Sequence, residues 1–186
     1  MKIYIRYMVS LRCKSNVKDA LTKLGISAII RELGTVELKN DISGEQHESL
    51  RLSLKKNGLV LMDKDHEIII EKMKTILDLL MAEDEVFSRS SYEEFLTRNI
   101  GLSFECLSTI FAEVNGSTIS HYLLILKIEK VKEMILYGDL SLKAIAHQLD
   151  FKNKEQLHRH FKKVTGLNPS FFQALKKKRL SLFSKG

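Results

Sequence analysis

The chain has 186 residues, of which 44% are hydrophobic and 28% charged, and it carries a net charge of +7. That length holds one medium domain or two small ones, and that apolar content supports a packed core, which excludes a disordered chain. No apolar run approaches the roughly 20 residues of a membrane span, and Arg6 and Arg12 interrupt the opening MKIYIRYMVSLRC, a poor signal peptide. The expectation is a cytoplasmic protein without membrane contact, and two cysteines, Cys13 and Cys106, offer no disulfide framework.

In chain order, Ile3, Ile5 and Tyr7 alternate with Tyr4 and Arg6, which predicts a strand. Val17, Ala20, Leu21 and Leu24 recur at helical spacing between Lys14 and Leu24, and Gly25 ends that helix. Ile26 to Glu32 and Val36 to Leu38 read as strands joined around Leu33-Gly34-Thr35. Ser43 opens a second helix with Gln46 as its capping-box partner; Leu50 and Leu54 face inward, and Asn57-Gly58 closes it. Leu59 to Met62 reads as a last short strand. The order βαββαβ predicts a ferredoxin-like domain.

Asp65 to about Ala82 is a strongly apolar helix. Ile69, Met73, Ile76 and Leu80 have the spacing of a helix-pairing seam, a face widened by Ile68, Ile70, Leu77 and Leu79. The same spacing suits packing on its own domain or a homodimer seam through the 65–82 helix. The polar, serine-rich stretch Glu83 to Ser91 marks the expected boundary, with domains over 1–84 and 85–186. From Tyr92 onward every segment reads as helix, with Gly101, Gly116, Gly138 and Gly166 as breaks and Pro169 at the first position of the last one.

Charge follows this division. Residues 1–84 hold 14 Lys/Arg against 13 Asp/Glu, 85–117 hold 2 against 5, and 118–186 hold 14 against 5. The basic excess at the C-terminal end suits a phosphate-facing surface, although a solvated basic face gives the same count.

Two helix pairs within 85–186 carry the functional reading. Ser141 caps a helix whose inner face is Leu142, Ile145, Ala146 and Leu149; after Asp150-Phe151-Lys152, Asn153 caps a second, with Leu157, Phe161 and Val164 inward. Two short helices so tightly joined must cross steeply, the geometry of a helix-turn-helix. The second helix turns Glu155, His158, Arg159 and Lys162 outward, with Lys154 and Gln156 in its first turn. An arginine there is able to make two hydrogen bonds to guanine in a major groove. Upstream, Glu93, Phe95 and Leu96 precede the turn Ile100-Gly101-Leu102; Ser103 then caps a helix with Leu107, Ile110, Phe111 and Val114 inward and Glu105, Ser108 and Thr109 outward. A long helix, Thr118 to Tyr137, joins the two pairs.

Over about residues 88–175 the chain resembles the AraC family of bacterial transcription regulators. The likeness rests on Leu107, Phe111 and Gly116, and on SLKAIAHQLDF, LHRHFKKVTG and NPSFF; the span from Phe161 through Gly166 to Pro169-Ser170-Phe171 is the most specific. It implies a DNA-binding domain of two helix-turn-helix units that acts on promoters, with double-stranded DNA as partner and RNA polymerase as a candidate one. By position, the base-facing candidates are Lys154, Glu155, Gln156, His158 and Arg159, with Lys162 beside them, and Glu105, Ser108 and Thr109 upstream. Departures from the family pattern are Asp150 where a glycine is usual, Lys127 where an arginine is usual, and the acidic Glu105, which repels phosphates.

Met8-Val9-Ser10-Leu11-Arg12-Cys13, at the first strand-helix junction, resembles the Cu(I) loop of the heavy-metal-associated domain, M-x-C-x-x-C. Ser10 stands where that loop has its first thiolate, and a hydroxyl is a hard, weakly acidic donor, so no metal site is assigned and Cys13 remains a weak candidate. Arg12 and Lys14 beside Cys13 favour its thiolate, which keeps open the alternative of a soft-metal or thiol-sensing protein with DNA binding as its output. The histidines lack ligand spacing, and no catalytic triad, Walker loop or G-x-G-x-x-G occurs. The expectation is a regulator, not an enzyme, with no cofactor.

Overall fold

In the computed structural model, which describes residues 1–82 and 89–183, local signals set most element ends. The N-terminal part runs β1 (Lys2–Arg6), α1 (Leu11–Lys23), β2 (Ala28–Glu32), β3 (Thr35–Leu38), α2 (Gly44–Lys55) and β4 (Val60–Leu61), then α3 (Lys64–Ala82). Ser10 caps α1, so that helix begins at Leu11, three residues before the expected Lys14. Ser43 and Gln46 form the full capping box of α2. At the β2–β3 turn, Gly34 takes φ +80°, a left-handed conformation that a side chain disfavours.

The four strands pair antiparallel in the order β2-β3-β1-β4, with Ile3 opposite Val36 and Ile5 opposite Leu61. Ile3, Ile5, Val36, Leu38 and Leu61 turn one sheet face to Val17, Ala20 and Leu21 of α1 and Leu50 and Leu54 of α2, forming a single apolar cluster. Tyr4 points the other way yet is 1% exposed. Its hydroxyl donates to Glu71 Oε1 at 2.6 Å, and its backbone N–H donates to Glu67 Oε1 at 3.3 Å, both on α3. Burial, followed by the hydrogen bond and charge of Glu71, pushes the Tyr4 phenol above its ordinary range.

Tyr4 is inside and Tyr7 is 44% exposed, because α3 covers Tyr4 on the second face of the sheet and the strand has ended by Tyr7, which has φ +66°. On α3 the buried stripe is Ile70, Met73, Leu77 and Leu80, while Ile68 and Leu79 are exposed. Met73 and Leu80 thus come from the expected seam and Ile70 and Leu77 from its widened face, while Ile69 and Ile76 are half-buried. With apolar residues at both sets of positions, hydropathy alone offers no contrast between them.

The C-terminal helices are α4 (Arg89–Ile100), α5 (Phe104–Asn115), α6 (Ile119–Tyr137), α7 (Leu142–Gln148), α8 (Lys154–Thr165) and α9 (Pro169–Phe183). Two compact units emerge, Met1–Thr75 with Leu96–Ile119, and Ile76–Phe95 with Ser120–Gly186. The expected boundary between 84 and 85 lies outside the described residues. In the first unit the Tyr7 N–H donates to the Glu113 carbonyl of α5 at 2.8 Å. The core of the second is built from Ile128, Val131 and Ile135 of α6, the inner faces of α7 and α8, and Phe151.

Candidate nucleic-acid interface

The α7–α8 pair is set by short-range chemistry. Ser141 Oγ accepts the Ala144 N–H at 3.2 Å, and Asn153 Oδ1 accepts the Gln156 N–H at 2.8 Å, each supplying an orphan donor at a helix start. Gly166, at φ +76°, closes α8. Between the helices Asp150 takes φ +55°, and the Phe151 N–H donates to the Ala146 carbonyl at 2.8 Å. Aspartate tolerates that left-handed conformation better than most side chains, so the turn forms without a glycine at this position. Ala146 is buried where the helices meet, and Leu157 and Phe161 are fully covered. Phe172 of α9 meets the Phe161 ring edge-on with centroids 5.2 Å apart.

Lys127 of α6 enters this core rather than the outer surface. Its Nζ lies 5.8 Å from the centroid of Phe151. Burial lowers its pKa, and the Asp150 carboxylate opposes that shift.

With α8 held this way, Lys154, Glu155, Arg159, Lys162 and Lys163 are exposed. Gln156 is half-buried, and its Oε1 accepts the Lys152 N–H at 2.5 Å, so it helps cap α8. His158 is half-buried too, with Nε2 buried and without a hydrogen-bond partner among the described residues. His160 lies 6.2 Å from the Phe151 ring, and burial, then Arg159 and Lys163, lowers its pKa. The outward stripe is thus a basic ridge centred on Arg159, with Glu155 as its one carboxylate. The basic run on α9 divides: Lys176 donates to the Gly138 carbonyl and to Asp139 Oδ1, Arg179 lies over Tyr137, and Lys177 and Lys178 stay exposed.

The upstream pair obeys the same local rules. Gly101 takes φ +81°, Ser103 caps α5 by accepting the Cys106 N–H at 3.3 Å, and Leu107, Ile110, Phe111 and Val114 are buried. Glu105 and Thr109 are exposed and Ser108 is half-buried. The Thr109 hydroxyl donates to the Glu105 carbonyl at 3.0 Å, so it faces outward as an acceptor only. One turn further on, Glu113 is held by the N-terminal strand, an arrangement without a local sequence signal.

At the start of α1, the Ser10 hydroxyl lies 3.2 Å from Cys13 Sγ and also accepts the Cys13 N–H. The Ser10 hydrogen bond is the main cause holding the Cys13 pKa below its ordinary value. Met8 is fully buried in the apolar core, against which the half-buried Cys13 also packs. Among the described residues no group of three or more His, Cys, Asp or Glu is placed to hold a metal ion.

Residues 96–174, which span the end of α4 through the start of α9, match the family model described as a helix-turn-helix domain. This part of the chain is a helix-turn-helix domain. A solved transcriptional regulator from Chromobacterium violaceum, one of the AraC-type DNA-binding domain-containing proteins, shares 18% identity at a TM-score of 0.50, over 57% of this chain and 92% of that one. The C-terminal domain of the two-component response regulator yesN from Fusobacterium nucleatum shares 25% identity at a TM-score of 0.46, over 55% and 95%. The DNA-binding domain of AdpA, solved with a target DNA, shares 18% at 0.48, over 57% and 94%. No curated protein matches the chain. The helix-turn-helix domain contains every base-facing candidate expected on α5 and α8. No described helix is long and apolar enough to cross a membrane.

Proposed function

We propose that the protein is a sequence-specific, DNA-binding transcription regulator of the AraC type, acting on promoter DNA through both helix-turn-helix units. The observation that carries this reading is the exposed basic ridge Lys154–Arg159–Lys162–Lys163 on a helix capped at both ends within a helix-turn-helix domain. A rigid helix with a central arginine is what bidentate reading of guanine requires, and the flanking lysines supply phosphate contacts. The order β2-β3-β1-β4 supports a ferredoxin-like N-terminal unit, a scaffold for interaction rather than soft-metal capture, since Met8 faces the core and Ser10 offers oxygen. A homodimer through α3 has little support, because Met73 and Leu80 are already buried in the single chain; RNA polymerase contact rests on the family resemblance alone.

The test is selection of bound fragments from genomic DNA with the full chain, followed by gel-shift titration at several salt concentrations. Enrichment of one motif is expected, with affinity falling steeply as counterions are released. No enrichment over random fragments and no retention at low salt refute the reading.

A further inference from the structure

The outer face of α5 continues past the residues expected to meet DNA. Glu105, Thr109 and Glu113 follow one another at spacings of four, so they lie along one face of the helix. Glu113 also belongs to the last turn, where a helix leaves its carbonyls without intrahelical donors. Both features of Glu113 are met by the end of β1. The Tyr7 N–H donates to the Glu113 carbonyl at 2.8 Å, the Tyr7 hydroxyl donates to Glu113 Oε1 at 3.2 Å, and Arg6 Nη1 lies 3.3 Å from Glu113 Oε2. Tyr7 holds φ +66° there, a left-handed conformation that a tyrosine adopts only where its surroundings impose it.

Neighbouring contacts join the same helix end. Gly34 of the β2–β3 turn lies so close to the Val114 carbonyl that a Cβ on it would stand 1.8 Å from that oxygen. Val9 approaches Gly116, the residue that ends α5, with its Cγ1 3.6 Å from the position of a Cβ there. The Arg6 guanidinium is largely covered, its Nε is buried without a hydrogen-bond partner among the described residues, and its Nη1 makes the ion pair with Glu113. A cation at a helix C-terminus also complements the helix dipole.

We infer that Arg6 and Tyr7 are positioning residues for α5: they cap the helix that the first helix-turn-helix unit presents to DNA and neutralise the carboxylate on its outer face. The inference rests on the DNA-binding reading above for its functional half and on the contact geometry for its structural half. Unpaired, Glu113 would add a second negative charge to a face that already carries Glu105, within about one screening length of approaching phosphates. Paired, it anchors the helix to the sheet, so the N-terminal unit sets where α5 stands. The N-terminal unit thereby takes part in DNA recognition without touching a base.

Amide hydrogen exchange on the full, DNA-free chain tests the contact, and binding to single-base variants of the selected site tests its consequence. Arg6→Ala is expected to raise exchange over residues 104–116 at least several-fold while leaving 142–165 unchanged. It should flatten base preference roughly three- to tenfold at site positions that Arg159→Ala leaves intact. Arg6→Lys should retain most of the protection, and the exchanged pair Arg6→Glu with Glu113→Arg should regain it relative to Arg6→Glu alone. Unchanged exchange over 104–116, loss spread equally through 142–165, or no recovery in the exchanged pair would each overturn the inference. Failure of the unaltered chain to bind DNA would refute the regulator reading instead, and the exchange measurements would still decide the contact.

Discussion

Replacing Gly34 by alanine isolates the closest contact made by the end of α5. A Cβ at this position would stand 1.8 Å from the Val114 carbonyl oxygen, where the tightest ordinary contact is 3.0 Å, so the turn and the helix must part by at least 1.2 Å. Two costs add. The left-handed φ of +80° costs an alanine about 1–2 kcal/mol, and forcing packed groups apart costs about 1–3 kcal/mol. Against about 2–5 kcal/mol in all, the reduced freedom of the unfolded chain returns about 0.4–1 kcal/mol. Gly25→Ala is the matched control, because Gly25 has φ +66° with nothing within 4 Å of its Cβ position. It carries the backbone cost and the unfolded-state gain but not the collision. At about 2–4 °C per kcal/mol for a chain of this size, the extra 1–3 kcal/mol predicts that Gly34→Ala melts about 2–12 °C below Gly25→Ala. Thermal unfolding followed by circular dichroism, with urea titrations at 25 °C, measures the difference. Equal melting of the two variants would refute the argument that Gly34 is required by α5 rather than by its own turn.

Two further outcomes are expected from single side chains. Arg159→Ala should relax preference at one base position about tenfold to a hundredfold, the worth of a bidentate arginine–guanine contact, while Ser108→Ala with Thr109→Ala should cost less; binding to every single-base variant of the site checks this, and a uniform loss for Arg159→Ala would make it a phosphate contact. Because Ser10 holds the Cys13 pKa low, the Cys13 thiolate forms at a lower pH than that of an ordinary thiol; iodoacetamide labelling against pH, read by mass spectrometry, should show its midpoint move upward in Ser10→Ala, and an unmoved midpoint would remove Ser10 as the cause.

What the chain alone made legible was local. Ser10, Ser43, Ser103, Ser141 and Asn153 each accept a backbone N–H within three residues, so their caps form whatever the rest of the protein does. The spacing of Leu107, Ile110, Phe111 and Val114, and of Leu157 and Phe161, has one apolar solution per helix turn, and those faces are buried as the periodicity requires. Both helix-turn-helix units and the basic ridge on α8 follow from such short-range rules. Tertiary structure decided what depended on distant partners. Tyr4 is covered because α3 returns over the sheet more than sixty residues later. The stripe of α3 was ambiguous because isoleucine and leucine occupy both possible faces, and packing chose Ile70, Met73, Leu77 and Leu80. The bond from the Lys152 N–H to Gln156, itself a base-facing candidate, was likewise not legible in the apolar pattern. The grip of Arg6 and Tyr7 on Glu113 spans 106 residues in the Tyr7 pair. No periodicity encodes a contact at that separation, since it exists only when the sheet and α5 are already folded and brought together.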